Sequence, residues 1–148
     1  MAEKTQKNFI TALGRRKESV ARLRLYTVVS ANLMYAQEKV QKGSIIINGK
    51  KAQDYFKGLV VKSVFEKPLK ITNSLGKYGV TAKIEGGGQT GQLDAFVHAL
   101  SRALSTIDVK NRQILKKAEL LTRDARVRER RKVGMGGKAR RKKQSPKR

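Results

Sequence analysis

Hydrophobic and polar residues alternate regularly in two stretches of the chain. In SVARLRLY, residues 19–26, Ala21, Leu23 and Leu25 fall on one side and arginines fall between them. In KYGVTAKIE, residues 77–85, aromatic and aliphatic residues alternate with charged and hydroxyl side chains. A period of two residues predicts a strand with one buried and one exposed face. We therefore expect two half-buried strands, the first with a basic outer face.

Shorter strands are predicted beside these two. NFITAL at 8–13 is typical of a strand that pairs with the first of them across a polar turn, GRRKE at 14–18. SIIING at 44–49 is a β-branched run that ends in an Asn-Gly pair, the signal of a type I′ turn. Residues 27–43 are less regular, and we expect them to extend the preceding strand and then form a short helix around 31–41.

Helices are predicted where hydrophobic residues recur three and four positions apart. Asp54 is expected to cap a helix through YFKGLVVKSVFE, and Pro68 is expected to end it. The strongest helical pattern covers 92–106, and a shorter helix is predicted over 109–120. This order of strands and helices predicts an α+β fold, a sheet with one face covered by helices and the other open.

Charge is distributed unevenly along the chain. Its 148 residues include 35 Lys and Arg against 11 Asp and Glu, for a net charge of +24. Residues 122–148 hold thirteen of the basic and two of the acidic residues, and the apolar periodicity stops after Leu121. This asymmetry predicts a globular domain at 1–121 and an extended basic tail at 122–148. Fully extended, residues 134–148 would span roughly 50 Å.

This excess of positive charge predicts an anionic partner, because self-repulsion disfavours a compact state without one. Nucleic acid and acidic membranes are the usual anionic partners. No apolar run is long enough to cross a bilayer, and the start, MAEKTQKNF, lacks the apolar core of a signal peptide. We therefore expect a cytoplasmic protein that binds no membrane, with an organelle location left open.

The sequence offers little for catalysis or metal binding. The absence of cysteine excludes disulfides, thiolate nucleophiles and Cys-ligated metals, and the single histidine, His98, leaves no zinc cluster. His98 itself is typical of a packed or surface histidine. The carboxylates are scattered, and no serine lies in a nucleophile elbow. We expect no enzyme activity, no cofactor or metal and no small-molecule substrate.

The glycine-rich segment GGGQTGQ at 86–92 follows a predicted strand and opens a predicted helix. It lacks the Gly-Lys-Ser/Thr ending of a nucleotide-binding loop, so nucleotide hydrolysis is not expected. Two interpretations stay open: a tight turn with Thr90 as the helix N-cap, or a loop whose backbone N–H groups contact a phosphate. The neighbouring cations Lys77 and Lys83 favour phosphate contact with RNA.

Arginine is concentrated in LLTRDARVRERRKVG at 120–134, where only Asp124 and Glu129 are available to neutralise it. Guanidinium groups hold phosphate with two parallel hydrogen bonds and stack on bases. We expect RNA contacts from the first hairpin turn, the glycine segment and its neighbouring lysines, the last predicted helix and the tail. The residues predicted to bind RNA are Arg15, Arg16, Lys17, Lys77, Lys83, Gly87, Gly88, Gln89, Lys116, Lys117, Arg123, Arg126, Arg128, Arg130, Arg131, Lys132, Lys138, Arg140, Arg141, Lys142 and Lys143.

Several long segments, in this order, carry a resemblance to a known family. They are GRRKESVARLRL at 14–25, INGKKAQDYF at 47–56, GKYGVTAKIEGGGQTGQLDAFVHALSRAL at 76–104, LKKAELLTRDARVRERRKVG at 115–134 and the ending KARR…KR, at 138–141 and 147–148. Over nearly its whole length the chain resembles the bacterial-type S9 family of small-subunit ribosomal proteins.

The resemblance implies a fold, a location and two RNA partners. The fold is a two-layer α/β sandwich of the ribosomal S5 domain-2-like type, in the head of the small subunit. The implied partners are small-subunit rRNA, neighbouring head proteins and the tRNA in the peptidyl site. The anticodon stem-loop of that tRNA is implied to meet the last two residues, Lys147 and Arg148.

Two segments depart from the family pattern. The segment 27–43 is longer than the corresponding segment of the family. Near the end of the chain, Lys142-Lys143 and Ser145-Pro146 stand where the family often has Ala-Pro and an aromatic residue. Electrostatic contacts must therefore contribute more at this end of the chain.

Two alternative functions come from other classes. A free nucleic-acid chaperone or membrane-active cationic protein would explain the charge, but the strongly patterned segment 76–107 counts against a simple cationic peptide. An enzyme of the kinase type on a related fold is the weakest alternative, since no nucleotide-binding motif is complete.

Overall fold

A computed structural model describes residues 9–29 and 33–130 of the chain. Strands come first along the chain, followed by two helices, one strand and two further helices, which fits the α+β fold that the sequence predicts. The elements are β1 (Phe9–Arg16), β2 (Ser19–Tyr26), β3 (Met34–Tyr35), β4 (Glu38–Lys39), β5 (Ile45–Ile47), β6 (Lys50–Lys51), α1 (Ala52–Tyr55), α2 (Leu59–Ile71), β7 (Gly79–Glu85), α3 (Gln89–Ile107) and α4 (Val109–Lys117).

In the part of the chain described, five strands form one sheet in the order β1-β2-β7-β5-β6. Neighbouring strands are antiparallel, except that β5 runs parallel to β7. The longest helix, α3, packs on β1 and β2, and α2 and α4 lie beside it. The fold therefore has a helix layer and a sheet layer, with β1 at one edge of the sheet.

The main core lies between α3 and the sheet. Leu23 and Leu25 of β2 are 1% and 0% exposed, and Phe96, Leu100 and Leu104 of α3 are completely buried. The alternation of β2 and the helical spacing of α3 are thus confirmed. Among residues 9–29 and 33–130, no helix is both long and apolar enough to cross a membrane.

Helix α3 approaches β1 so closely that only glycine fits at position 14. A Cβ atom on Gly14 would overlap the carbonyl oxygen of Ala95 and lie 2.6 Å from the amide nitrogen of Ala99. Both atoms belong to the backbone of α3, which cannot give way as a flexible side chain would. Gly14 is therefore part of β1 and of the helix contact, rather than part of a turn as predicted.

The helix predicted to begin after Asp54 is in fact two helices. Asp54 lies inside the short helix α1, and the N-cap of α2 is Gly58, whose φ is 125°. This break allows the two aromatic residues on either side to reach the core. Phe56 is 4% exposed and Phe65 is 2% exposed, with their ring centroids 6.5 Å apart.

Pro68 does not end its helix, contrary to prediction, because α2 continues to Ile71. Proline lacks the N–H that would bond to the carbonyl of Val64, but the last turn is closed by other donors. The backbone N–H and hydroxyl of Thr72 both donate to the carbonyl oxygen of Pro68, at 3.2 and 2.9 Å.

The predicted helix around 31–41 is also wrong. The described residues of this segment form the small β3–β4 hairpin, with Ala36 at its turn in the left-handed region (φ 55°). The hairpin covers part of the sheet face opposite the helices, which therefore is not fully open. A second small core forms there, in which Tyr26, Val40 and Ile46 are buried.

The close packing at Gly14 gives a stability prediction. Gly14→Ala should lower the free energy of unfolding by about 1–3 kcal/mol or more, because overpacking forces β1 away from α3. Thermal and denaturant unfolding of the full chain would measure this. Gly88→Ala is the matched control, since its Cβ would meet no atom within 4 Å, and equal losses for both variants would contradict this account of Gly14.

Candidate nucleic-acid interface

The pleat of β1 separates the two arginines of the first hairpin. Paired residues of antiparallel strands share a face, so Arg15, opposite Val20, points away from the helices, whereas Arg16, opposite Ser19, points towards them. The turn itself consists of Lys17 and Glu18 alone, with Lys17 in the left-handed region (φ 51°). The predicted cluster of three cations in one turn is therefore divided between two faces and the tip.

Arg16 connects α3 to the segment after α4. We call Arg16 and the residues it contacts, Asp94, Asp124 and Arg126, the clamp. Its Nε lies 3.4 Å from a carboxylate oxygen of Asp94, and its Nη2 lies 3.0 Å from one of Asp124. Its Nη1 donates to the carbonyl oxygen of Arg126 at 2.9 Å, and its side chain is 15% exposed. Exposed Arg15 and Lys17 fit the predicted RNA contact better than Arg16 does.

Asp124 joins the two arginines of this clamp. Its carboxylate accepts from the backbone N–H of Arg126 at 2.9 Å and from the Arg126 Nη2 at 2.6 Å. These hydrogen bonds, with a further contribution from the charge of Arg16, hold the pKa of Asp124 well below its ordinary value. The first residues of the segment predicted to be an extended tail are therefore attached to the body, although they form no helix or strand.

His98 holds the chain just before this clamp. Its Nε2 lies 3.3 Å from the carbonyl oxygen of Leu121, and Leu121 packs against the main core. Burial lowers the pKa of His98, partly offset by this contact and reinforced by Arg102 and Arg123. The imidazole is therefore neutral near pH 7, and His98 is packed, which is one of the two structural roles that the sequence leaves open.

The glycine segment packs against the turn between β1 and β2. Gly86 and Gly87 have positive φ of 75° and 63°. A Cβ atom on Gly86 would overlap the carbonyl oxygen of Glu18, and one on Gly87 would overlap the hydroxyl of Ser19. These glycines are therefore explained by contacts within the chain.

The predicted cap of the following helix is wrong. α3 begins at Gln89, with Gly88 as N-cap and no side-chain cap, so Thr90 lies within the first turn. Gly88 and Gln89 are both exposed, and nothing lies within 4 Å of a Cβ built on Gly88. Within the glycine segment, the predicted phosphate contact therefore has most room at Gly88 and Gln89.

A chain of hydrogen bonds fixes this loop to two other elements. The Nε2 of Gln92 donates to the carbonyl oxygen of Gly86 at 3.1 Å, and its Oε1 accepts from the Tyr55 hydroxyl at 2.9 Å. Asn48 donates to that same hydroxyl at 3.3 Å. Asn48 and Gly49 both have positive φ, as the predicted Asn-Gly turn requires.

The sheet face opposite the helices is basic. Lys83 of β7 and Arg22 of β2 are 62% and 65% exposed, and both pair with Glu85, at 2.8 and 3.4 Å. The hydrogen bond and charge of Lys83 lower the pKa of Glu85. Arg24 lies on the same face, 5.3 Å above the ring of Phe9.

Arg22 and Arg24 were missing from the predicted contact residues. The alternation of β2 had already placed both on the outer face, so the sequence carried the signal. Lys77, just before β7, is exposed as predicted, and so are Lys116 and Lys117 in the last turn of α4. Positive charges at the C-terminal end of a helix interact favourably with the helix dipole, so Lys116 and Lys117 also stabilise α4.

The remaining predicted contacts lie at the C-terminal end. Arg123, Arg126, Arg128 and Arg130 are exposed. The other predicted residues lie outside the described part of the chain: Arg131, Lys132, Lys138, Arg140, Arg141, Lys142, Lys143, Lys147 and Arg148.

The clamp at Arg16 predicts how a single carboxylate affects the C-terminal segment. Asp124→Asn should speed hydrogen–deuterium exchange over residues 120–126, because it removes the charge that holds Arg16 and Arg126 together. Asp54→Asn, on an exposed position of α1, is the matched control. Unchanged exchange in Asp124→Asn would contradict the clamp.

The same clamp should depend on pH. A carboxyl whose pKa is lower in the folded state stabilises that state above its unfolded pKa of about 4, and this stabilisation is lost as the pH falls further. Exchange at 120–126, corrected for its intrinsic pH dependence, should therefore be slow near neutral pH and accelerate below about pH 4. In Asp124→Asn this acceleration should be smaller.

Comparison with known proteins places these features in a family. The family "Ribosomal protein S9/S16" matches residues 14–148. One relative, the small ribosomal subunit protein uS9 of Maridesulfovibrio salexigens, is 45% identical over 131 residues, which cover 88% of this chain and 91% of the relative. The chain therefore belongs to the ribosomal protein S9/S16 family, whose members are structural components of the ribosome rather than enzymes.

Proposed function

We propose that this chain is a structural protein of the small-subunit head that binds small-subunit rRNA through its basic surfaces. Its C-terminal tail, residues 122–148, contacts the anticodon stem-loop of the peptidyl-site tRNA through Lys147 and Arg148. Neighbouring head proteins complete its surroundings. The fold type is the ribosomal S5 domain-2-like sandwich.

The observation that carries the proposal is the separation of apolar and basic surfaces. The helix face of the sheet is buried. The outer face carries four cations, Arg15, Arg22, Arg24 and Lys83, and their charge is only partly offset by the carboxylate of Glu85. Lysine and arginine contacts to phosphates position a protein on RNA without reading its sequence. This chemistry suits a protein that occupies one fixed place in a large RNA.

The clamp supports the part proposed for the tail. Because Arg16 binds Asp124 and the carbonyl of Arg126, the segment leaves the body at a fixed point. Family membership and the Lys-Arg ending support tRNA as its target.

Stable membership of the small subunit can be tested by sedimentation. Tagged full-length chain should stay with small subunits through a moderate-salt wash, since a fixed binding place adds contacts with rRNA and neighbouring proteins that persist when phosphate contacts weaken in salt. A free nucleic-acid chaperone would dissociate in the same wash. Release of the chain at that step would contradict the structural assignment.

The tail can be tested by removing Pro146, Lys147 and Arg148. Subunits with the truncated chain should assemble normally but hold peptidyl-site tRNA about tenfold less tightly or weaker still, since a hydrogen bond to a charged group contributes roughly 1.5–3 kcal/mol. Filter binding of tRNA to programmed subunits would measure this.

The control for this truncation is Lys50→Gln with Lys67→Gln in the full-length chain. It removes the same charge from exposed positions of β6 and α2. If truncated and control subunits retained tRNA equally, the proposed role of the last residues would be wrong.

A further inference from the structure

We propose that a single-stranded segment of RNA crosses the β1 edge of the sheet, held by arginines on both sides of that edge. The inference rests on the proposed function and names the surface and the form of RNA. It depends on Arg22, Arg24, Arg102 and Arg112, four residues outside the RNA contacts predicted from the sequence.

On the outer side of the edge lies an open groove of about 690 Å³. Its basic lining residues are Arg22, Arg24, Lys83 and Arg102, and none of the described residues that line it is acidic. Glu85, just outside the lining, pairs with two of these four cations and offsets only part of their charge. The groove is therefore an anion-binding surface.

On the helix side of the same edge lies a second concave surface, of about 550 Å³. Arg102, Arg112 and Arg123 line it, and no acidic side chain does so among the described residues. His98 also lines this surface and is neutral near pH 7, because burial lowers the pKa of its imidazole. Three guanidinium groups around one hollow favour phosphate oxygens as ligands.

The two hollows share one wall at β1. Thr11, Ala12 and Arg102 line both. Nη1 of Arg102 donates to the carbonyl oxygen of Leu13, on this edge strand, at 2.6 Å. That bond fixes the guanidinium between the two hollows and uses one of its five N–H donors, so others are available to a phosphate. Arg102 is therefore the midpoint of a continuous basic track.

The shape of the track favours single-stranded RNA. It changes direction at the β1 edge, from one face of the sheet to the helix side, and a single strand bends there far more easily than a stiff duplex. The outer groove also contains the ring of Tyr35 and the planar group of Arg24, on which unpaired bases stack. An acidic protein segment would match the charge but would not use these stacking surfaces.

The test compares two triple variants of the full-length chain. Arg24→Gln, Arg102→Gln and Arg112→Gln remove three charges from the track. Lys50→Gln, Lys57→Gln and Lys67→Gln remove three from exposed positions of β6 and α2 and from between α1 and α2. Fluorescence anisotropy with a short labelled single-stranded RNA, and with a duplex of equal length, measures affinity over a range of salt concentrations.

The variant that lacks the three track arginines should bind the single strand at least about tenfold more weakly, at moderate salt, than the control variant that lacks Lys50, Lys57 and Lys67. Its salt dependence should be shallower by a slope of about 2, since each phosphate contact to a single strand contributes about 0.7. The same three positions changed to lysine should recover most of that slope. If the track triple unfolds, Arg102→Gln alone against Lys67→Gln gives the same comparison.

Equal losses for the two triple variants would overturn this inference, and so would a loss confined to duplex RNA. The salt wash separates it from the proposed function. If wild-type chain stays on the small subunit and the two triple variants behave alike, only the track is wrong. If wild-type chain is released, the proposed function is wrong, and the comparison of the two triple variants alone decides the track.

Discussion

Helix α3 lies directly on β1 and β2, and the rest of the structure depends on how completely this contact excludes water. At Gly14 the backbones of strand and helix meet with no side chain between them. A dry interface of this kind cannot hold an unpaired charge without a cost of several kcal/mol. Charged residues of these strands must therefore point to the other face, as Arg22 and Arg24 do, or stand at a strand end beside a carboxylate, as Arg16 does.

Scarce carboxylates are placed where cations come together. Glu66, Glu85 and Asp124 each approach two basic side chains within 4.0 Å. Such exposed pairs contribute little to stability one by one, but they relieve repulsion where the fold brings like charges near each other. With 35 basic and 11 acidic residues, most of the positive charge is left for an external anion. Carboxylates within the fold and an RNA partner outside it thus both reduce the repulsion between the basic side chains.

Local patterns predicted β2, β7 and α3 because burial on one face imposes a period that is visible within a few residues. The β3–β4 hairpin has no such period. Its strands are two residues long, and the hairpin is held on the sheet by a small core in which Val40 is buried together with Tyr26 and Ile46. Pro68 marked a helix end that the bonds from Thr72 overrode. The hairpin was therefore decided by tertiary packing, whereas the miss at Pro68 was decided by local hydrogen bonds within the end of the helix.

The candidate site shows the same limit. The sequence identified clusters of cations but not the direction of each side chain, and Arg15 and Arg16 are adjacent residues with opposite surroundings. The partners of Arg16, Asp94 and Asp124, meet only after α3 and the C-terminal segment have packed. Arg102 likewise reaches the β1 edge only in the folded chain. Alternation could have selected Arg22 and Arg24, whereas Arg102 required the structure.

One strand therefore sets the geometry of both proposed RNA contacts. In β1, Arg15 faces the outer surface of the sheet, and Arg16 holds the beginning of the C-terminal segment on the opposite side. This anchor holds the chain against the body as far as Arg126, beyond the predicted boundary at Leu121, and so shortens the proposed tail. Since the entropic cost of closing a chain grows only slowly with its length, the shorter tether itself gains little. For the tail proposed above, the gain is direction, because a proposed tail that starts from a fixed point on the body would be oriented before it meets its proposed partner.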